Sequence, residues 1–204
     1  MVAAVRATPD QALSSRPLEA DPIPPIRLTN LVWVAFMLGV LVLAIESGQH
    51  WFLNYVHVMS GAVWSGIDLF LGFVLGPIIR ALPLEARREV ACRLMPRTLF
   101  IMPTLAVTTG TAGWFLAQQG GYLDLAYPEF YWVAAALVIT AALTVEGLGI
   151  LLPTNLIVYL ELRKPAPDGA RIARWMQHYV IFVAIQGCMQ LAIIVVMAHL
   201  VTGL

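Results

Sequence analysis

Charged residues are scarce in this chain. Its 204 residues include 12 Lys and Arg and 12 Asp and Glu, so the net charge is zero and the charged fraction is 12%. An ordinary soluble domain has about 25% charged residues. The low charge excludes a disordered chain and a nucleic-acid-binding protein with a basic face, so no nucleic acid is expected as a partner.

Cysteine is equally rare, with two residues, Cys92 and Cys188. This number excludes a small secreted domain that is held together by several disulfides. Cys92 lies in a basic segment that we expect to be a loop, whereas Cys188 lies near the middle of a long apolar segment. Topology therefore separates the two thiols, and we expect both to be reduced and buried as small apolar side chains.

Apolar residues are abundant, because 60% of the chain is hydrophobic and its mean hydropathy is +0.80. A helix needs about 20 apolar residues to cross the hydrocarbon core of a bilayer. Five stretches approach or exceed this length: Leu28–Ile45, Phe52–Ile79, Leu99–Ala117, Tyr131–Leu160 and Trp175–Leu200. Their continuous apolar character favours helices over alternating strands. Within them, we expect Pro77, Pro103 and Pro153 to kink or end helices.

The sequence thus predicts an all-α integral membrane protein, a bundle of five transmembrane helices at residues 28–204 behind a flexible cytoplasmic tail at residues 1–27. Alternating helices place all basic residues on one side of the lipid bilayer, which the positive-inside rule assigns to the cytoplasm. We therefore expect a cytoplasmic N-terminus, an outside C-terminus and a multi-pass location in the bacterial inner membrane. The basic residues are Arg6, Arg16, Arg27, Arg80, Arg87, Arg88, Arg93, Arg97, Arg163, Lys164, Arg171 and Arg174.

Histidines near the outer side of the predicted bundle form one polar layer. His57 lies about 8 Å below the outer boundary, and His199 is the partner nearest to it in depth. Neutral imidazole binds haem iron and copper, so His57 and His199 are candidate ligands for haem b or copper. His178 is better embedded but lies about 20 Å deeper. Alternatively, His57 bonds to a neighbouring helix and His199 is an interfacial residue.

A second polar layer is predicted deeper in the membrane. Asp68 follows His57 by eleven residues, which returns to nearly the same helix face, and Glu146 reaches a similar depth from the outer side. His178 is expected near the inner end of this layer, and Gln186 and Gln190 line the fifth span. A buried carboxylic acid is able to carry a proton at neutral pH, so Asp68 and Glu146 predict a proton path. The alternative is a structural cluster that locks the helices together.

The segment from His57 to Gly66, His-Val-Met-Ser-Gly-Ala-Val-Trp-Ser-Gly, resembles the first helix of the HemJ-type protoporphyrinogen oxidase superfamily. Related families are the CopD-like copper-resistance proteins and the membrane domain of cytochrome-linked urate oxidases. The shared pattern is a His, a Trp seven residues later (here Trp64), then Gly and an aromatic residue. Weaker similarities at Met102-Pro103, at Gly113-Trp114 and before the last helix extend the resemblance over about residues 55–200.

The resemblance implies that His57 is a haem ligand, with Trp64 in the cofactor-binding helix. Independently of the resemblance, Gly61 has no side chain to block a neighbour, so it allows the flat approach of a macrocycle or of another helix. The leading hypothesis is a b-type haem-binding membrane protein in electron transfer, either a subunit of a larger oxidoreductase or an oxidoreductase itself. The chain has little mass outside its helices, so we expect a membrane-protein partner subunit or redox partner.

Two other hypotheses belong to different classes. The first is a copper-handling or small-solute membrane transporter, with Met59 and Met197 as soft ligands near the outer histidines. The second is an accessory structural subunit without chemistry of its own. A hydrolase is not expected, because no Ser or Cys nucleophile has a base at a matching depth.

Overall fold

The structure is a computed structural model that describes residues 29–164 and 166–203. Five helices account for most of these residues, and no β-strand occurs among them. The helices are α1 (Asn30–Glu46), α2 (His50–Ala81), α3 (Leu84–Gln119), α4 (Phe130–Leu162) and α5 (Gly169–Thr202), with one short 3-10 turn at Tyr122–Asp124. The predicted all-α class is confirmed for this part of the chain. The predicted tail at residues 1–27 lies outside the described residues.

Four of the helices, α2 to α5, are long and apolar enough to cross a bilayer. The described part of α1 has 17 residues, which corresponds to about 26 Å and falls slightly short of the ~30 Å hydrocarbon core. Large apolar side chains such as Phe73, Val138 and Val195 point outward from the bundle. These features identify a helical membrane protein with four long spans and a shorter apolar helix packed beside them.

Helix α3 occupies the middle of the bundle, where it contacts α1, α2 and α4. One apolar cluster joins α1, α2 and α3, and it contains Leu41, Ala44, Leu53, Val56, Ala112 and Leu116. A second cluster joins α2, α3 and α4 through Trp64, Leu105, Ala106 and Leu143. Helix α5 packs mainly on α4 and also reaches α2. The polar side chains described below lie between these packed helices.

Two of the predicted helix-breaking prolines widen a helix instead of ending it. Helix α2 is π-helical at Phe70–Leu75, just before Pro77, and α4 is π-helical at Gly147–Leu151, just before Pro153. Proline has no backbone N–H, and its ring clashes with the carbonyl four residues earlier. A wider turn with i→i+5 bonding relieves this conflict, so both helices continue toward the same end of the bundle.

The third helix is much longer than predicted. The sequence analysis began this span at Leu99 and treated the preceding charged segment, including Cys92, as a loop, which is wrong. Helix α3 begins at Leu84 and contains both Pro96 and Pro103. The charged segment is rich in the helix formers Ala, Arg and Glu, and an ion pair of 2.6 Å joins Glu89 to Arg93 one turn apart.

The two ends of the bundle differ in charge. Arg88 Nη2 donates a hydrogen bond of 2.8 Å to the carbonyl of Leu162, which brings the start of α3 to the end of α4. Arg171 Nη1 lies 3.6 Å from Glu161, which adds the start of α5. We call this end the basic end. The opposite end, with Asp124 and Glu129, is the acidic end, and the sequence places no Lys or Arg in its connections.

Asp168 caps the start of α5, where Oδ1 accepts a hydrogen bond of 3.0 Å from the backbone N–H of Arg171. This bond and the nearby Arg174 and Arg171 guanidinium groups lower the pKa of Asp168. A lowered folded-state pKa adds stability above the unfolded pKa, and this contribution is lost as the pH falls through the folded pKa. We predict that Asp168→Ala lowers the melting temperature at pH 7 by a few degrees.

The matched control is Asp168→Asn, which keeps an acceptor that caps helices well. Thermal unfolding followed by circular dichroism in detergent measures both variants. The deficit of the alanine variant should shrink in acid below the ordinary Asp value of 3.8. A melting temperature of Asp168→Ala equal to that of the wild type at pH 7 contradicts the capping role.

Candidate functional site

His57 is held in one orientation between α2 and α3. Its Nδ1 atom lies 2.9 Å from the backbone carbonyl of Thr109. A carbonyl only accepts hydrogen bonds, so Nδ1 carries the ring proton and donates it, which assigns the tautomer. The lone pair of Nε2 is therefore the one that is able to coordinate an iron or copper ion.

Small residues let the two helices approach each other around this ring. A Cβ atom added at Gly113 would lie 2.8 Å from Cε1 of His57, which is too close for any real pair of carbon atoms. At Gly61, an added Cβ would lie 3.2 Å from the methyl group of Thr109. The Thr109 hydroxyl also donates to Ser60 Oγ at 2.9 Å. Gly61 and Gly113 therefore set the close packing that brings Thr109 to His57.

His199 lies at the acidic end and is engaged with another ring. It stacks on Trp132, with ring centroids 3.7 Å apart and an interplanar angle of 26°. Both residues line an open cavity of about 370 Å³ that Glu129 also borders. Across residues 29–164 and 166–203, no three His, Cys, Asp or Glu side chains group together as a metal site. The expected pairing of His57 with His199 stays a prediction.

Asp68 forms the polar centre of the bundle. Its Oδ2 atom accepts hydrogen bonds from the amide groups of Gln186 and Gln190 on α5, the latter at 2.6 Å. Both glutamines are buried, and Gln190 is only 1% exposed. The glutamines were expected to line the fifth span between the two polar layers, and in the structure they bind Asp68 directly. These bonds tie α5 to α2.

Glu146 is buried near Asp68 without a hydrogen bond of its own. Its side chain is 6% exposed, and neither Oε1 nor Oε2 has a partner. The next residue, Gly147, lines the same cavity as Asp68. The amide oxygens of Gln186 and Gln190 are also buried without partners. The predicted meeting of Asp68 and Glu146 at one depth stays a prediction.

His178 does not join this inner group, although the sequence analysis placed it there. Its side chain is exposed, and Nδ1 pairs with the carbonyl of Arg174 in its own helix at 3.0 Å. Counting residues from the helix end predicts a depth for His178, but it does not fix the rotation of α5 and hence the direction in which this side chain points. The neighbouring Tyr179, seven residues before Gln186, shares the inner face and accepts a hydrogen bond of 3.2 Å from Asn155.

A cavity of about 50 Å³ adjoins Asp68 and Gly147, the residue after Glu146. A buried water needs about 10–15 Å³ of such space, so the cavity has room for about three waters. Trp64 and Asp68 line one part of it, and Thr98, Asn155 and Tyr179 line another part, nearer the basic end. Trp64, expected as a cofactor-binding residue, thus packs beside Asp68.

The sequence analysis missed the relation between the acids and the two π-helical segments. Asp68 lies two residues before Phe70–Leu75, and Glu146 comes immediately before Gly147–Leu151. Such wide turns are frequent at functional sites, because they re-aim the side chains beside them. The sequence does carry a pattern that marks these segments: an intramembrane acid is followed within ten residues by glycines and one proline. This pattern occurs twice in the sequence.

Comparisons with known proteins add no assignment: no family model, no curated protein and no solved structure matches this chain. The family resemblance drawn from His57 and Trp64 therefore stays a prediction.

The contact between Gly113 and His57 gives a test of the site. We predict that Gly113→Ala lowers the free energy of unfolding by about 1–3 kcal/mol, because its methyl group overpacks the interface and displaces the imidazole. The matched control is Gly110→Ala, whose Cβ would meet the Thr140 methyl at an ordinary 3.7 Å. This control should be neutral or up to about 1 kcal/mol more stable, since alanine favours a helix.

Unfolding of both variants in detergent, followed by circular dichroism, measures the difference. A Gly113→Ala protein as stable as Gly110→Ala would show that the ring is free to move, contrary to the tight packing described here.

Proposed function

We propose that the protein is a b-type haem-binding integral membrane protein that carries electrons, with Nε2 of His57 as an axial ligand of the iron. The observation that carries this proposal is the hydrogen bond from Nδ1 of His57 to the Thr109 carbonyl. Histidines that bind metals commonly donate their other ring N–H to a carbonyl or carboxylate, which fixes the tautomer and raises the basicity of the ligand. When bound, a b-type haem supplies one-electron redox chemistry.

The residues around His57 fit such a ligand. The imidazole is partly buried between two helices, its tautomer leaves Nε2 available, and Gly113 keeps the ring in place. His57 is the one axial ligand that we assign to this chain. His199 is not assigned as the second ligand, because its ring stacks on Trp132. A membrane-protein partner or redox partner belongs to the same proposal, since almost all of the described chain is helix bundle.

We further propose an orientation, in which the basic end faces the cytoplasm of a bacterial cell and the acidic end faces outward. Support comes from the gathering of arginines on the starts of α3 and α5 and the ends of α2 and α4. Such residues are retained on the cytoplasmic side of the inner membrane. This orientation places the described start of α1 inside and the end of α5 outside.

Absorption spectra of the detergent-purified protein, oxidised and reduced with dithionite, test haem binding. We expect a Soret band that His57→Ala abolishes, while the exposed His178 is replaceable by Ala without change. Added imidazole should restore the band in His57→Gly, which separates a lost ligand from a lost fold. A colourless wild-type protein, or a His57→Ala protein with an unchanged spectrum, overturns the proposal and favours the accessory-subunit hypothesis.

Retention of copper without a porphyrin spectrum is a separate outcome of the same purification. It overturns the haem proposal and favours the copper-handling alternative. Metal analysis of the wild-type and His57→Ala proteins distinguishes this outcome, because a copper site at His57 loses its metal in the variant.

Cysteine labelling in intact spheroplasts tests the orientation. In a background without Cys92 and Cys188, we predict that Glu129→Cys at the acidic end reacts with a membrane-impermeant maleimide. Glu89→Cys, at an exposed position near the basic end, should react only after the membrane is opened. The reverse pattern of labelling would contradict the proposed orientation.

A further inference from the structure

The half-buried Asp68 and the buried Glu146 differ in their hydrogen-bonding surroundings. Asp68 accepts from the amides of Gln186 and Gln190, so its negative charge is stabilised. Glu146 is buried, and no hydrogen-bond donor reaches either of its oxygens. An isolated carboxylate in such surroundings carries a large desolvation cost, which a neutral carboxylic acid avoids.

The two groups also border the same interior space, because one cavity is lined by Asp68 and by Gly147, the residue after Glu146. Two charged carboxylates in such surroundings repel each other more strongly than in water. The hydrogen bonds to Asp68 favour charge on that residue, so the proton belongs on Glu146. The pair therefore holds one proton between them.

No other ionisable group of the neighbouring helices competes for this proton. Helix α5 contributes Tyr179, whose hydroxyl bonds to Asn155 of α4, while His178 is exposed. Helix α3 has no ionisable residue between Thr98 and Gln119, and α1 has none between Asn30 and Ile45. No described Lys or Arg lies along these helices at the level of the acids, so the pair has no basic partner to neutralise it.

A small cavity lies beside Asp68 and beside the backbone that follows Glu146. It is lined by Asp68, by Gln186 and by Gly147, the residue that follows Glu146. From there it extends to Thr98, Asn155 and Tyr179, which lie one to three helical turns nearer the basic end. Waters bound in this space, together with the Tyr179 hydroxyl, would supply the donors and acceptors that a proton needs to move along it.

We propose that Asp68 and Glu146 form an intramembrane proton-binding site that exchanges its proton with the basic end through this cavity. The proton arrives from water at the basic end, forms an O–H bond on a carboxylate oxygen and leaves by the same route. No electron moves in this step, so the site does not depend on the proposed haem.

Infrared spectroscopy of the full-length protein in lipid tests the site, because a protonated carboxylic acid has a C=O band that shifts in D₂O. We expect this band in the wild type at neutral pH. Glu146→Gln should abolish it, and Asp68→Asn should retain it, since Glu146 then still carries its proton. The matched control is Glu161→Gln, because Glu161 is also 6% exposed but is paired with Lys164 at 2.7 Å and should contribute no band.

The rate of hydrogen–deuterium exchange of the band tests the route. Asn155→Leu and Tyr179→Phe should slow the exchange at least several-fold without removing the band. Thr140→Val, on the side of α4 nearer the acidic end, should leave the rate unchanged. Glu146→Asp provides a second variant that should shift the band rather than remove it, in case Glu146→Gln does not fold.

Three results overturn the proposal: no acid band in the wild type, a band that survives Glu146→Gln, or an exchange rate that Asn155→Leu and Tyr179→Phe leave unchanged. His57→Ala should keep the band and its exchange rate. The proton site and the haem proposal are therefore able to fail independently.

Discussion

Hydrocarbon offers no hydrogen-bond partner, so polar side chains inside the bundle depend on partners from the protein itself. Asp68 is satisfied by two glutamine amides from α5, and His57 by a backbone carbonyl from α3. Ser60 donates within its own helix, to the carbonyl of Val56 at 2.7 Å. Glu146 is buried without such a partner, and the proton that we propose for it would remove the cost of an unpaired charge.

Helix α2 carries both proposed sites on nearly the same face. His57 and Asp68 are separated by eleven residues, which corresponds to about 16 Å along the helix. The site at His57 packs against α3 at Gly113, and the site at Asp68 binds the glutamine side chains of α5. The two proposed sites therefore share one helix but depend on different neighbouring helices.

Composition and hydropathy predicted the fold class and the approximate helix positions, because these depend on the average properties of long segments. Residue counts also predicted one depth for Asp68 and Glu146, and Gly147, the residue after Glu146, lines the same cavity as Asp68. The sequence pattern failed where rotation or local backbone geometry decides the outcome. His178 lies on the wrong face of α5, α3 begins at Leu84 rather than Leu99, and neither the π-helical segments nor the ring stack of His199 follows from helical periodicity.

The π-helical segment of α2 has a consequence for how this helix compares between proteins. An i→i+5 turn encloses one residue more than an α-helical turn. The side-chain faces of the helix before Phe70 and after Leu75 are therefore aligned as they would be in a continuous α-helix with one residue fewer. A homologous chain that lacks one residue here would preserve both faces. A single-residue gap at this point of an alignment therefore marks the loss of the π-helical turn, and not a different arrangement of the bundle.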